Sequence, residues 1–241
     1  MIANTCTNDM HDRRFEKKVT EDNTVTSWQR FVYRGYLQIA AFDVNSVIID
    51  EEEHQGHTLA ITTFWDPTEP TATRPLAITD HTGNTSTTYF HTHDLTKNVC
   101  ELLDVSGEII TSYDYTLFGA VTASNTTTPN PFMFSSEILD PETSLVYYNF
   151  RHYNPTDGRW IFRDPIDESG GWNLYSMIYN SLINIVDTLG LSWEIKRDNN
   201  SSKALATSES PYGDTKESLA AAIGLVDYEK LFNKLNINGK P

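Results

Sequence analysis

Short runs of apolar and aromatic residues, separated by turn-forming residues, dominate the sequence between about residues 27 and 160. The runs are rich in β-branched and aromatic side chains, and Gly, Asp, Pro or Asn bounds each of them. Such runs are typical of β-strands. The clearest are WQRFVYRG, LQIAAFDV, TLAITTFW, TTYFHTHD, CELLDVSG, EIITSYDY, PFMFSSEIL and LVYYNFRHY. Turn signals such as DPTEP, DHTGNT, DVSG and NPTDG recur every 8–12 residues or so, which predicts a mainly β, antiparallel meander.

A degenerate repeat runs through the same region. A Tyr-Asp pair followed by a glycine is clearest in YDYTLFGAV, and weaker forms are FVYRGYLQIAAFD and NDMHDRRFEKKV. A unit of this size cannot bury its own apolar face, so it needs neighbours stacked beside it. Because one unit starts almost at Met1, we expect the chain to be the end of a longer array or a shortened relative of one.

The charge of the chain is strongly negative and unevenly distributed. Its formal net charge is −15, and residues 1–191 hold 11 Lys and Arg against 26 Asp and Glu, whereas residues 192–241 hold 7 of each. An acidic surface repels phosphate backbones and anionic lipids, so nucleic acid is not predicted as a partner. No apolar run approaches the roughly 20 residues of a membrane span, and no signal peptide is visible in the opening residues.

The sequence contains few candidate metal ligands. Cys6 and Cys100 lie far apart, and no CxxC spacing is present. The remaining candidates are His81, His91, His93 and Asp94. Alternation along a strand places His91 and His93 on one face, but no third ligand stands at a spacing typical of zinc sites. We therefore predict neither a metal nor a cofactor.

Asp164 and Asp187 each stand in a turn-like setting, one before Pro165 and the other before Thr188. One interpretation is that both are ordinary turn residues. The other is an acid pair, since two carboxylates within about 3 Å share one proton. The ionised member then activates a water molecule while the protonated member polarises a peptide carbonyl. The 22 residues between the two aspartates are enough to return the chain, and both interpretations stay open at this point.

Four longer segments are distinctive: TYFHTHDLTKNVCELLDVSGEIITSYDYTLFGAVT, NPFMFSSEILDPETSLVYYNFRHYNPTDGRWIFRDPI, GGWNLY and DTLGL. Together they resemble a known family, the RHS-repeat-associated core domain of RHS and YD-repeat proteins. The resemblance is strong over about residues 85–191 and weak over the residues before them. The resemblance implies a β-sheet that spirals into a hollow shell, with the core domain plugging one end. In bacterial members, which are secreted or lie at the cell surface, the shell encloses a variable C-terminal polypeptide, often a toxin.

The resemblance also implies a self-cleavage site. Several members of the family cut their own chain just after the core domain, through an aspartyl-protease-like pair with an arginine beside it. By motif, the catalytic residues are Asp164, Asp187 and Arg163, and the cut falls after Leu191. Such a site acts once on its own chain, as a single-turnover autoprotease. The chain departs from the family at Thr188, where proline is usual.

The sequence changes character after Leu191. SWEIKRDNNSSKALATSES is polar, as in a linker, and GDTKESLAAAIGLVDYEKLFNKLNING predicts two short helices. This tail resembles a lysin-motif module through Gly213-Asp214-Thr215 and the helices, although the closing strand is missing. Lysin-motif modules bind glycans that contain N-acetylglucosamine, which makes cell-wall glycan a candidate partner of the tail.

The interpretation divides the chain into three parts. Residues 1–84 form degenerate YD-repeat strands, residues 85–191 form the core plug, and residues 192–241 form a small helical tail. The first two parts constitute a partial spiral shell whose function is structural, and its partner is its own tail or another enclosed polypeptide. Two alternatives stay open: a glycan-binding surface module that acts through the tail, and an inactive fragment of a longer toxin-delivery protein.

Overall fold

The computed structural model describes residues 1–49, 52–68, 74–123, 128–165, 173–177, 185–188, 190 and 192–195. Within these residues the regular elements are β-strands, apart from one turn of 3-10 type at Phe134–Ser136. The predicted mainly β, antiparallel fold is confirmed. No helix in this part of the chain is both long and apolar enough to cross a membrane. The polar linker predicted from Ser192 is wrong over its first four residues, because Ser192–Ile195 form a strand that pairs with Ile185–Thr188. The rest of the predicted linker and the helices of the tail, from residue 196 onward, lie outside the described residues, as does Leu191.

Nine strands form one antiparallel sheet, in which every strand pairs with its neighbours in sequence. This is the predicted meander, and it continues across the predicted boundary between residues 84 and 85. Its strands are β1 (Ile2–Asn8), β2 (Arg14–Glu21), β3 (Thr24–Arg34), β4 (Leu37–Ile49), β5 (Glu52–Trp65), β6 (Pro75–Asp80), β7 (Thr87–His93), β8 (Val99–Leu103) and β9 (Ile109–Ser112).

A smaller sheet follows the large one. Its four strands are β12 (Ile138–Asp140), β13 (Leu145–Tyr148), β14 (Arg151–Asn154) and β15 (Arg159–Trp160), paired in that order. Two short hairpins flank it in sequence: β10 (Asp114–Tyr115) with β11 (Val121–Ala123), and β16 (Ile185–Thr188) with β17 (Ser192–Ile195). The run LVYYNFRHY, predicted as strand, is therefore a complete hairpin, β13 and β14.

The turns of the large sheet use one recurring device. Asp66, Asp80, Asp94 and Asp104 each accept, through Oδ1, the backbone N–H and the hydroxyl of the Thr or Ser two residues further on, at 2.6–2.9 Å. This Asx-type turn satisfies backbone donors that the hairpin would otherwise expose. The hydrogen bonds lower the pKa of the Asp66 and Asp104 carboxyls. Aspartates at these turns are therefore structural caps.

Aromatic side chains fill the core of the small sheet. Trp160, Tyr148 and Tyr153 are buried, and their ring centroids lie 5.1–6.4 Å apart in edge-to-face arrangements. Edge-to-face contact is the favoured geometry for aromatic pairs. A second cluster, which includes Ile78 of β6, Leu102 of β8 and Tyr147 of β13, joins the large sheet to the small one. The two sheets therefore share one continuous apolar contact.

Buried ionic contacts also tie β2 to the small sheet. Asp140 of β12 accepts a hydrogen bond from Arg14 Nη1 at 2.6 Å and another from Lys17 Nζ at 2.8 Å. The Tyr147 hydroxyl accepts the Arg14 backbone N–H at 2.8 Å. All four residues are less than 10% exposed. Strand β2 is rich in charged residues, and its burial depends on this partner across the molecule.

Candidate functional site

Arg151 occupies the first position of β14, directly after the tight turn that ends β13. In the antiparallel register it lies opposite Tyr148. Its guanidinium carbon lies 4.0 Å from the centre of the Trp160 ring, and the residue is 3% exposed. A planar guanidinium stacks well on an aromatic face, and its remaining edge stays available for hydrogen bonds. The small sheet thus holds a cation in a buried, oriented position.

Two separate segments of the chain, one with Asp164 and the other with Asp187 and Gly190, meet on this guanidinium. Nη1 donates to Asp164 Oδ2 at 2.6 Å, and Nη2 donates to Asp187 Oδ2 at 3.4 Å. Nε donates to the backbone carbonyl of Gly190. Burial lowers the pKa of Arg151, and the charges of Asp187 and Asp164 act against that shift. A buried charge requires this kind of compensation, and here two carboxylates provide it.

Gly190 packs directly against the hairpin that carries Arg151. Its φ is +76°, which favours glycine, and an added Cβ would lie 3.1 Å from both Cβ and the carbonyl oxygen of Tyr148. A side chain at this position would therefore strain the backbone and crowd its neighbour. The short connection between β16 and β17 contains Gly190, and Thr188 pairs with Ser192 across it. The carbonyl that Arg151 holds precedes Leu191 in the chain.

The two predicted aspartates meet at Arg151, an arginine that the sequence did not indicate, and the role predicted for Arg163 stays a prediction. Asp164 and Asp187 both contact Arg151, whereas the side chain of Arg163 is exposed. The backbone N–H of Asp164 also donates to the carbonyl of Leu174 at 3.0 Å, which fixes the end of that segment. A charged residue within the aromatic run LVYYNFRHY is the signal in the sequence that could have indicated Arg151.

The histidines considered as metal ligands have other contacts. His91 is buried, its Nε2 lies 3.1 Å from the amide oxygen of Asn130, and burial lowers its pKa. His81 lies within hydrogen-bonding distance of Thr62 and Ser86, and Asp94 caps its own turn. Among the described residues, no group of three or more His, Cys, Asp or Glu side chains is arranged to hold a metal ion.

Comparison with known proteins identifies relatives of this architecture. Residues 78–169 match the family model described as the teneurin YD-shell. The double-stranded DNA deaminase toxin A of Burkholderia cenocepacia is 36% identical over 109 residues, which cover 43% of this chain and 8% of that protein. The toxin subunit YenC2 of Yersinia entomophaga is 30% identical over 110 residues, covering 40% and 11%. The predicted resemblance to RHS and YD-repeat proteins is confirmed.

Other comparisons agree with this family. The putative uncharacterized protein YlbH of Escherichia coli is 37% identical over 95 residues, which cover 38% of this chain and 39% of YlbH. The crystal structure of TcdB2-TccC3 shares the fold with a TM-score of 0.61 at 21% identity, over 78% of this chain and 9% of that one. The chain thus spans well under half the length of these relatives, and it has the fold of a YD-shell section.

Proposed function

We propose that the chain forms part of the wall of an RHS-type shell together with the plug that closes it. Two features support this function: the nine-stranded meander, and its continuous contact with the small sheet through the Arg14–Asp140 and Tyr147 contacts. The relatives named as toxins and toxin subunits suggest that such a shell serves toxin delivery. The partner of the shell is then the polypeptide that follows Leu191, or another polypeptide enclosed with it.

We further propose that the chain cuts itself once, between Leu191 and Ser192. The observation that carries this proposal is the convergence of Asp164, Asp187 and the Gly190 carbonyl on the one guanidinium of Arg151. A peptide held by its own backbone beside two carboxylates has a very high effective concentration. The hairpin of β16 and β17 supplies that constraint without any binding step.

The reaction needs one water molecule. In the proposed step one aspartate accepts a proton as the water oxygen bonds to the carbonyl carbon of Leu191. The bond from that carbon to the Ser192 nitrogen then breaks, and the proton passes to the new amine. Arg151 contributes a fixed positive charge that aligns both carboxylates and the neighbouring carbonyl. This differs from an isolated acid pair sharing one proton, because a cation lies against both acids.

Intact mass spectrometry of the purified chain tests this proposal. We expect the wild type to yield two products separated after Leu191, and we expect Asp164→Asn and Asp187→Asn to remain whole. Arg151→Lys keeps a charge but loses the forked donor geometry, so its cleavage should fall strongly. Arg163→Gln is the matched control at an exposed arginine and should cut like the wild type. A whole wild-type chain, or undiminished cleavage in either Asn variant, would refute self-cleavage at this site.

A further inference from the structure

Trp160 provides the surface on which the guanidinium of Arg151 rests. Tyr153 lies two residues after Arg151 on β14, so both side chains project from the same face, and Tyr153 pairs with Trp160 of β15. Trp160 is therefore the diagonal cross-strand neighbour of Arg151, at a separation that long and aromatic side chains bridge. The contact distance agrees, since the guanidinium carbon lies 4.0 Å from the centre of the Trp160 ring. The register of the small sheet thus brings these two side chains together.

The Trp160 ring is itself held in place by its neighbours. Trp160 is 1% exposed, and its ring meets the rings of Tyr148 and Tyr153 edge-on, at centroid distances of 5.1 and 5.6 Å. Its backbone N–H donates to the carbonyl of Tyr175 at 2.9 Å. Close packing of this kind leaves a ring little freedom to turn. The face that Trp160 presents to Arg151 therefore has a constant direction.

The edge and the face of the Arg151 guanidinium have different partners. Its N–H groups, which lie in the guanidinium plane, donate to Asp164, Asp187 and the Gly190 carbonyl. None of these three acceptors belongs to a strand of the small sheet, whereas Trp160 does. The ring fixes the plane of the cation within the sheet, and the acceptors from the other segments must reach that plane. A cation–π contact strengthens when water is excluded, as it is at these two buried side chains.

We propose that Trp160 is a positioning residue of the cleavage site, whose ring face holds the plane of the Arg151 guanidinium so that both aspartates and the Gly190 carbonyl meet its edge. The role in cleavage rests on the self-cleavage proposed above, whereas the stack rests on register, distance and burial. Trp160 takes no part in proton transfer or bond breaking. Its contribution depends on the electron density of the ring face, because a cation is attracted to the negative face of an aromatic ring. A role in packing alone would depend on the volume of the side chain instead.

Fluorinated tryptophans separate these two roles. Fluorine atoms on the indole ring withdraw electron density from its face and change its volume little. The full chain is made by cell-free translation with mono-, di-, tri- or tetrafluorotryptophan in place of Trp160 alone, and the cut fraction is followed with time by mass spectrometry. We expect the cleavage rate to fall with each added fluorine, by about twofold to thirtyfold over the series. An equal rate across the series would overturn the proposal.

Trp65 provides the matched control for fluorination. Its ring packs edge-on against Phe132 at a centroid distance of 5.0 Å, and its Nε1 donates to the Gln38 carbonyl at 2.9 Å. The same fluorinated series at Trp65 should leave the cleavage rate at the wild-type value. A fall of the same size at Trp65 would show that fluorine acts through packing, and it would refute the positioning role.

The stack can be observed without any cleavage. In the full chain carrying Asp164→Asn and labelled with nitrogen-15 arginine, the Arg151 Nε–H proton should be shifted upfield, because an indole ring shields groups above its face. Arg151→Lys identifies this NMR signal by removing it. An Arg151 signal without an upfield shift would refute the stack. A chain that stays whole in every cleavage assay while the shifted signal is present would refute self-cleavage, and with it the role of Trp160 there, but not the stack.

Discussion

Asp140→Asn is expected to destabilise the contact between β2 and the small sheet. Asp140 is 2% exposed, and its two oxygens accept hydrogen bonds from Arg14 at 2.6 Å and Lys17 at 2.8 Å. Burial alone would raise the pKa of Asp140, but Arg14 and Lys17 outweigh that effect and hold it below its ordinary value. Asparagine preserves the shape of the side chain and removes the charge. Two buried cations would then lack their shared counter-charge.

The magnitude follows from these contacts. A hydrogen bond to a charged group contributes about 1.5–3 kcal/mol, and removing one partner of a buried ion pair costs about 3–5 kcal/mol. We therefore expect Asp140→Asn to lower the free energy of unfolding by about 4 kcal/mol. With a urea m-value of about 2 kcal/mol per molar, the midpoint of unfolding falls by about 2 M.

Urea unfolding followed by tryptophan fluorescence measures this change. Glu142→Gln is the matched control, because Glu142 also contacts Lys17, at 2.7 Å, but its side chain is 19% exposed. A partly solvated pair contributes about 1 kcal/mol or less, so the control should stay close to the wild type. Equal midpoints for the two variants would refute the claim that a buried charge at Asp140 holds the two sheets together. Because the folded pKa of Asp140 is lowered, its contribution is present above its unfolded pKa of about 3.9 and is lost in more acidic solution.

Three further outcomes follow from the structure. Gly190→Ala should lower the free energy of unfolding, measured with urea, by about 1–3 kcal/mol because of the positive φ and the crowding at Tyr148. It should also reduce cleavage, and wild-type behaviour in both assays would contradict this prediction. Asp94→Ala removes four hydrogen bonds of the turn after β7 and should cost about 1–2 kcal/mol, whereas an unchanged melting curve would show that the cap is dispensable. Burial raises the pKa of Glu137 to about 8 in the folded chain, so its contribution to stability is complete below pH 4.5 and is lost as the pH rises to about 8. The free energy of unfolding should fall by at most about 5 kcal/mol over this range, and Glu137→Gln should make it less dependent on pH.

Local patterns in the sequence predicted most of the strands but not all of them. Strands β3, β4 and β5 carry β-branched and aromatic residues, and they were predicted from that pattern. Strand β1 is polar and almost wholly exposed, and β2 has the sequence RFEKKVTE, so neither shows an apolar alternation. Strand β2 is buried because Arg14 and Lys17 form ion pairs with Asp140, which lies far along the chain. No local sequence pattern predicts such a pairing.

The sequence likewise indicated some residues of the candidate site and not others. Motif resemblance indicated Asp164 and Asp187, and the structure places both on Arg151. The motif also indicated Arg163, because that residue is adjacent to Asp164 in sequence. Arg151 reaches the aspartates because the hairpin of β13 and β14 folds beneath them.

The sequence by itself determined that this chain is a β meander with aspartate-capped turns, because strand alternation and turn chemistry depend on neighbouring residues. Asp164 and Asp187 could be identified in the same way, although Asp187 lies within strand β16 and not in the turn predicted for it. Only the tertiary structure decided which cation joins them and which carboxyl has a raised pKa. Arg151 meets Asp187 across 36 residues and Gly190 across 39, and the pKa of Glu137 depends on burial beside Asp187. Desolvation and charge proximity are properties of the packed molecule, and they are set when the separate sheets come together.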